Sequence, residues 1–116
     1  MIRFNNDSGA NYAWTFGDII SAASESAGQN YIPTEPGSSN GSTYTVADIV
    51  NVSNMEKLYV GNTVANKSSG AGNAPKASIC YAKWANTSAQ INRIDITNIG
   101  AGDFYIGSEL VVLGHN

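Results

Sequence analysis

The sequence holds one cysteine, one histidine, three prolines and only six lysines and arginines in 116 residues. Each shortage excludes a class of chemistry. Cys80 alone cannot close an internal disulfide, and one cysteine with one histidine cannot complete a closed zinc site. His115 stands beside Asn116, so a Ser-His-Asp or Cys-His catalytic set would have to recruit a fraying tail. Lysines and arginines form no cluster and the net charge is −3, which leaves no electrostatic footprint for a phosphate backbone. Nucleic acid is therefore not an expected partner. The longest apolar run, Leu110 to Leu113, falls far short of the roughly 20 residues that span a bilayer, so no membrane insertion is expected. No basic stretch followed by an apolar one succeeds Met1, and the chain reads as soluble. Gly70 and Gly72 lack a following Lys-Ser/Thr pair and a helix, so no phosphate-binding loop and no cofactor is expected.

What the chain does contain is polar and uncharged. Charged residues make up 13% and hydrophobic ones 42%, while Asn, Ser, Thr and Gly together supply about two-fifths. A chain of this size buries roughly two-thirds of its unfolded surface, so residues 1–116 are expected to form a single domain with one modest core. Short segments that alternate apolar and polar residues, separated by turn chemistry, give an all-β signature. Ile2-Arg3-Phe4 opens it, Asn5 to Gly9 is a turn whose side chains tolerate positive φ, and Tyr12 to Phe16 is the natural hairpin partner. Asp18 to Ala27 is compatible with one short helix, capped by Asp18 and ended by Gly28, or with a strand or irregular segment. Pro33 to Ser42 and Lys67 to Pro75 are loops. Thr43 to Val50, Leu58 to Val60, Ile79 to Trp84, Ile91 to Thr97 and Phe104 to Leu113 are strands, the last with a bulge at Gly107-Ser108. In the Ile91 to Thr97 segment Ile94 and Ile96 point inward and Arg93, Asp95 and Thr97 outward. The pattern predicts a jelly-roll-like β-sandwich of about seven or eight short antiparallel strands.

Groups suited to catalysis are few. Asp95, Asp103 and Glu109 lie close in sequence, and a pair of them is the raw material of a glycosidase. The competing reading is a solvated strand face for Asp95 and a glycine turn for Asp103. No catalytic role is expected of any of the three, and the chain is not expected to be an enzyme. The loop Asn5 to Gly9 offers oxygen ligands to calcium but lacks the alternating acidic pattern with a distal Glu, which favours a plain turn and no metal site. Five Asn-X-Ser sequences match the glycosylation pattern, as chance allows in so Asn- and Ser-rich a chain. Cys80, in Ser78 to Ala82, reads as a small buried hydrophobe. Trp14, Trp84 and Tyr59 are candidate stacking faces for a glycan, or else packing groups of a core or subunit interface.

Two stretches carry a resemblance: Ile2 to Tyr12, and Trp84 to Thr97 running on to Gly102-Asp103-Phe104. The first gives Arg-Phe-Asn, then Asp, Gly and Asn-Tyr; the second gives Trp, Thr-Ser, then Ile-Asn and Ile. Leu113-Gly114 closes the pattern. Together they resemble a β-sandwich domain of tailed-bacteriophage virion proteins, found in tail and fibre proteins and in capsid decoration proteins. The region from Gly17 to Pro75 matches loosely. The Leu- and Arg-rich strand that ordinarily precedes the Arg-Phe-Asn hairpin is missing.

The matching motifs are structural ones, so the resemblance implies a fold and a virion setting and transfers no catalytic residue. Without the preceding strand, Ile2 and Phe4 form a candidate interface edge that needs cover. A symmetric homo-oligomer, most simply a trimer, would supply it. The expectation is a structural protein on the virion surface, made in the host cytoplasm, whose partners are other capsid or tail proteins. It would act as a decoration (cement) protein or small fibre-like module. The alternative is a tail-fibre receptor-binding module that recognises host surface glycans.

Overall fold

A computed structural model describes residues 1–18, 22–34, 42–66, 68–100 and 102–114. Seven antiparallel strands in two sheets, with no helix among the described residues, make up a β-sandwich-like fold. The small sheet pairs β1 (Ile2–Phe4) with β7 (Ile94–Ile96), setting Ile2 against Ile96 and Phe4 against Ile94. The large sheet runs β3 (Ser24–Gln29), β2 (Tyr12–Asp18), β6 (Lys76–Trp84), β5 (Lys57–Ala65), β4 (Thr43–Val50). Thus β4, β5 and β6 form a meander, and β2 joins it to the hairpin strand β3.

Four sequence expectations need correction. The short helix is replaced by β3; the serines at 24 and 26 favour extended backbone over helix, and residues 19–21 lie outside the described residues. The Pro33 to Ser42 loop also lies largely outside them. The hairpin between Ile2–Phe4 and Tyr12–Phe16 does not form. Instead the turn carries the chain from the small sheet to the large one, so β2 pairs with β6 and β3. Asn5 and Asn6 both take left-handed φ (53° and 57°), and the Asp7 amide closes the turn on the Phe4 carbonyl at 2.9 Å. The inward pair in β7 is uneven, because Ile94 packs on the core while Ile96 remains 39% exposed.

The fourth correction concerns Phe104 to Leu113, which carries no strand. Tyr105 to Ser108 form a tight turn, with the Ser108 amide on the Tyr105 carbonyl and Gly107 at φ 92°, in place of a bulge. That turn reverses the chain where a strand would have to continue. The apolar side chains that follow stay exposed, Val111 at 66% and Leu113 at 89%.

The core lies between the small sheet and one face of the large one. Ile2, Phe4, Tyr12, Ile32, Tyr59, Cys80, Ala82 and Trp84 form it. Along β5 the period-two rule is visible without a break: Lys57, Tyr59, Gly61, Thr63 and Ala65 are buried, and the residues between them are exposed. The Tyr59 ring lies across Gly61, where a side chain would collide with it. Three rings fill the centre, with Phe4 meeting Trp84 edge-on at 6.0 Å and Tyr12 stacked on Trp84 at 6.5 Å.

Candidate functional site

The residues singled out by sequence divide between the core and its margin. Phe4, Trp84 and Tyr59 are buried, and Ile2 nearly so. The cover over Ile2 and Phe4 comes from the chain itself: β7 pairs along β1, and on the other side Ile2 exchanges both main-chain hydrogen bonds with Ile32 at 2.9 Å. Trp14 is half-buried against the core. Of the nominated aromatics, Trp84 and Tyr59 present no ring face to solvent. Burial, with the neighbouring Cys80 as a lesser cause, pushes the Tyr59 hydroxyl up to about 12, and burial pushes the Cys80 thiol up to about 12.

Asp7 holds the early turn to the late part of the chain. Its Oδ2 accepts the Trp84 indole N–H at 2.7 Å and the Asn11 amide at 2.9 Å, and its Oδ1 accepts the Gly9 N–H at 2.8 Å. Burial raises the Asp7 carboxyl. The hydrogen bonds from Trp84, Asn11 and Gly9 outweigh it and hold the group below the usual carboxylate value. Both oxygens of this loop's carboxylate are therefore engaged by donors. Among the described residues no three His, Cys, Asp or Glu side chains gather to hold a metal ion.

The asparagines have a use that turn chemistry does not predict. Residues 85–93 are irregular, and three asparagine side chains act as neighbouring strands would. Asn5 accepts the Asn92 and Arg93 N–H groups and donates to the Gln90 carbonyl. Asn51 accepts the Ile91 N–H at 2.8 Å and donates to its carbonyl at 3.0 Å, and Asn86 accepts from Ser88 and Ala89. An amide side chain matches a peptide group in donor and acceptor, so it completes a backbone that has no strand beside it. No periodic sequence signal marks such a role.

The three carboxylates weighed for catalysis do not share a site of this kind. Asp95 accepts the Asn6 N–H at 3.1 Å and pairs with Arg93 at 2.6 Å. Asp103 and Glu109 are exposed.

The surface with most unmet chemistry is the outer face of the large sheet. Tyr44, Val46, Val50, Leu58, Val60 and Tyr81 stand on it, each at least partly in solvent, Tyr44 at 68%. Cross-strand partners lie on one side of a sheet, so Val50 with Leu58 and Val60 with Tyr81 form an apolar strip, interrupted by Asp48 opposite Val60, Asn62 opposite Val46 and Lys83 opposite Leu58. Toward β3 it becomes a shallow groove that includes Ala13, Thr15, Glu25, Leu58, Tyr81 and Lys83. Among the described residues β4 is the last strand on its side of the sheet, and all its residues but Ile49 are exposed. Compared with protein-family models, curated proteins and solved structures, the chain matches none of them.

Proposed function

We propose that the chain is a bacteriophage virion structural protein on the particle exterior, a capsid decoration protein or small fibre-like module that works by subunit-subunit adhesion. The observation that carries this reading is the apolar strip from Tyr44 to Tyr81 on the outer face of a sheet whose inner face already holds a filled core. Exposed apolar side chains gathered on one face of a sheet mark an interaction site, and nothing in the core requires these. The polar, weakly charged loops fit the solvent side of such an assembly. The test is co-sedimentation with capsids stripped of minor proteins and with purified tails. Saturable binding to either particle supports the reading, and no binding to both overturns it.

A second reading is recognition of a host surface glycan, favoured by the half-exposed Tyr81 ring beside Thr15, Glu25 and Lys83 in the shallow groove. On a glycan array, sugar binding lost in Tyr81→Ala selects this reading. Binding unchanged by that substitution removes the groove as its site.

A further inference from the structure

The small sheet has an open edge, and the chain returns beside it. Two bonds fix which residues of β7 face β1 with their main chain: the Asn5 N–H on the Arg93 carbonyl and the Thr97 N–H on the Met1 carbonyl. Hydrogen-bonded pairs alternate along an antiparallel ladder, so Asp95 bonds Arg3, and the N–H and C=O groups of Ile94 and Ile96 point away from β1. The same alternation turns the main chain of Ile2 outward on the far side, where Ile32 takes both of its bonds. No such neighbour serves β7, because among the described residues no strand lies beyond it. The side chain of Ile96 is uncovered too. It stands opposite buried Ile2, on the core side of the sheet, yet is 39% exposed.

Segment 109–113 lies where a third strand would. Asn98 accepts the Gly100 N–H and donates to the Gly102 carbonyl, and the turn from Tyr105 to Ser108 completes the reversal. The chain then comes back alongside residues 91–94: Leu110 and Val112 are one wall of an open cleft, and Ile91, Asn92, Arg93 and Ile94 are the other. A connection this short joins antiparallel strands, not parallel ones. Leu110 and Val112 are two residues apart, as Ile94 and Ile96 are, and share one face of an extended chain. Val111 and Leu113 do not line the cleft.

We infer that segment 109–113 is a strap that closes onto the free edge of β7 as the third strand of the small sheet, with Leu110 beside Ile96 and Val112 beside Ile94. Two constraints set this register. The Asn92 and Arg93 N–H groups are already taken by the Asn5 side chain, which leaves Ile94 and Ile96 as the free edge. Pairing Leu110 with Ile94 instead would set Glu109 against Asp95, whereas in the inferred register Glu109 meets Thr97 and Val111 meets Asp95. Closure gives Ile96 its missing neighbour and fills the cleft. It goes beyond the adhesive reading and holds whether or not the chain binds a particle.

The experiment is amide exchange and NOE spectroscopy by NMR on the full chain, for the parent, for Leu110→Asp/Val112→Asp and for Val111→Ser/Leu113→Ser. In the parent the Ile94 and Ile96 N–H groups are expected to exchange at least about tenfold more slowly than those of Gly70 and Gly72 in their exposed loop. A contact between the Hα atoms of Asp95 and Val111 is expected as well, since these two would face each other as a closely spaced, non-hydrogen-bonded pair. Leu110→Asp/Val112→Asp is expected to abolish both signals with β5 and β6 amides still protected, and Val111→Ser/Leu113→Ser to keep both. Where a variant fails to fold, the parent's Asp95–Val111 contact still decides. Fast exchange at Ile94 and Ile96 in the parent overturns the inference, as does absence of that contact or equal loss in the two folded variants. Protection that vanishes on dilution overturns it too, because the strap would then belong to a second copy.

Discussion

The indole N–H of Trp84 reaches back 77 residues to the carboxylate of Asp7, at 2.7 Å. Through it the turn after β1 is tied to the end of β6, and the pH response of the fold follows. Hydrogen bonds hold the Asp7 carboxyl below its ordinary value, so the unfolded chain takes up this proton at a higher pH than the folded one does. Its contribution is complete above the unfolded value near 3.8 and is lost as the pH falls through the lower folded value. Thermal melts from pH 6 to pH 2 are expected to show a fall in melting temperature below about pH 4 that is shallower in Asp7→Asn. An identical slope in both proteins would remove Asp7 from the acid response.

Tyr12 and Phe4 share a buried hydrogen bond, the Phe4 N–H donating to the Tyr12 hydroxyl at 2.9 Å. Tyr12→Phe leaves that amide without a partner in a dry site. A loss of about 1–3 kcal/mol in denaturant unfolding is expected, with the slope unchanged.

Asn5 serves twice, through its left-handed φ of 53° and through its side chain on residues 90–93. Asn5→Gly keeps the backbone freedom and loses the splice; Asn5→Ala loses both. Chemical unfolding is expected to rank them parent, Gly, Ala, with about 1 kcal/mol between the two variants from the φ requirement alone.

Ile94 packs on the core and Ile96 is 39% exposed. Ile94→Ala is expected to cost about 2 kcal/mol or more, and Ile96→Ala less than about 1 kcal/mol. Equal losses would place β7 at a different depth.

Cys80 is buried and its thiol is pushed up to about 12. At pH 8 a thiol reagent is expected to leave the native protein unmodified and to label it fully in denaturant. Rapid labelling of native protein would show that β6 opens.

The strands that alternate cleanly were legible in sequence: Thr43 to Val50 is β4 residue for residue, and Ile79 to Trp84 lies within β6. What misled was partnering. Ile2–Phe4 and Tyr12–Phe16 are local candidates for a hairpin, and the two left-handed asparagines after Phe4 have the turn geometry that favours one, yet β1 pairs with β7 and β2 with β6 and β3. Phe104 to Leu113 has strand composition, and composition does not say whether an edge of the same chain stands ready to receive it. The buried position of Trp84 and Tyr59 follows from the closing of the small sheet over the large one, a long-range event with no local sign. The splicing asparagines were hidden for the opposite reason, because Asn is so common in this chain that no single one stands out.

The strict alternation along β5 has a genetic consequence. From Lys57 to Ala65 the odd-numbered positions are enclosed and the even-numbered ones are not. In a library covering this strand, substitutions at 59, 61 and 63 would deplete variants from the folded pool, whereas those at 58, 60 and 64 would, on the adhesive reading proposed above, deplete them only where chains are selected for binding. Two selections on one strand would thus yield interleaved tolerance profiles, each silent where the other speaks.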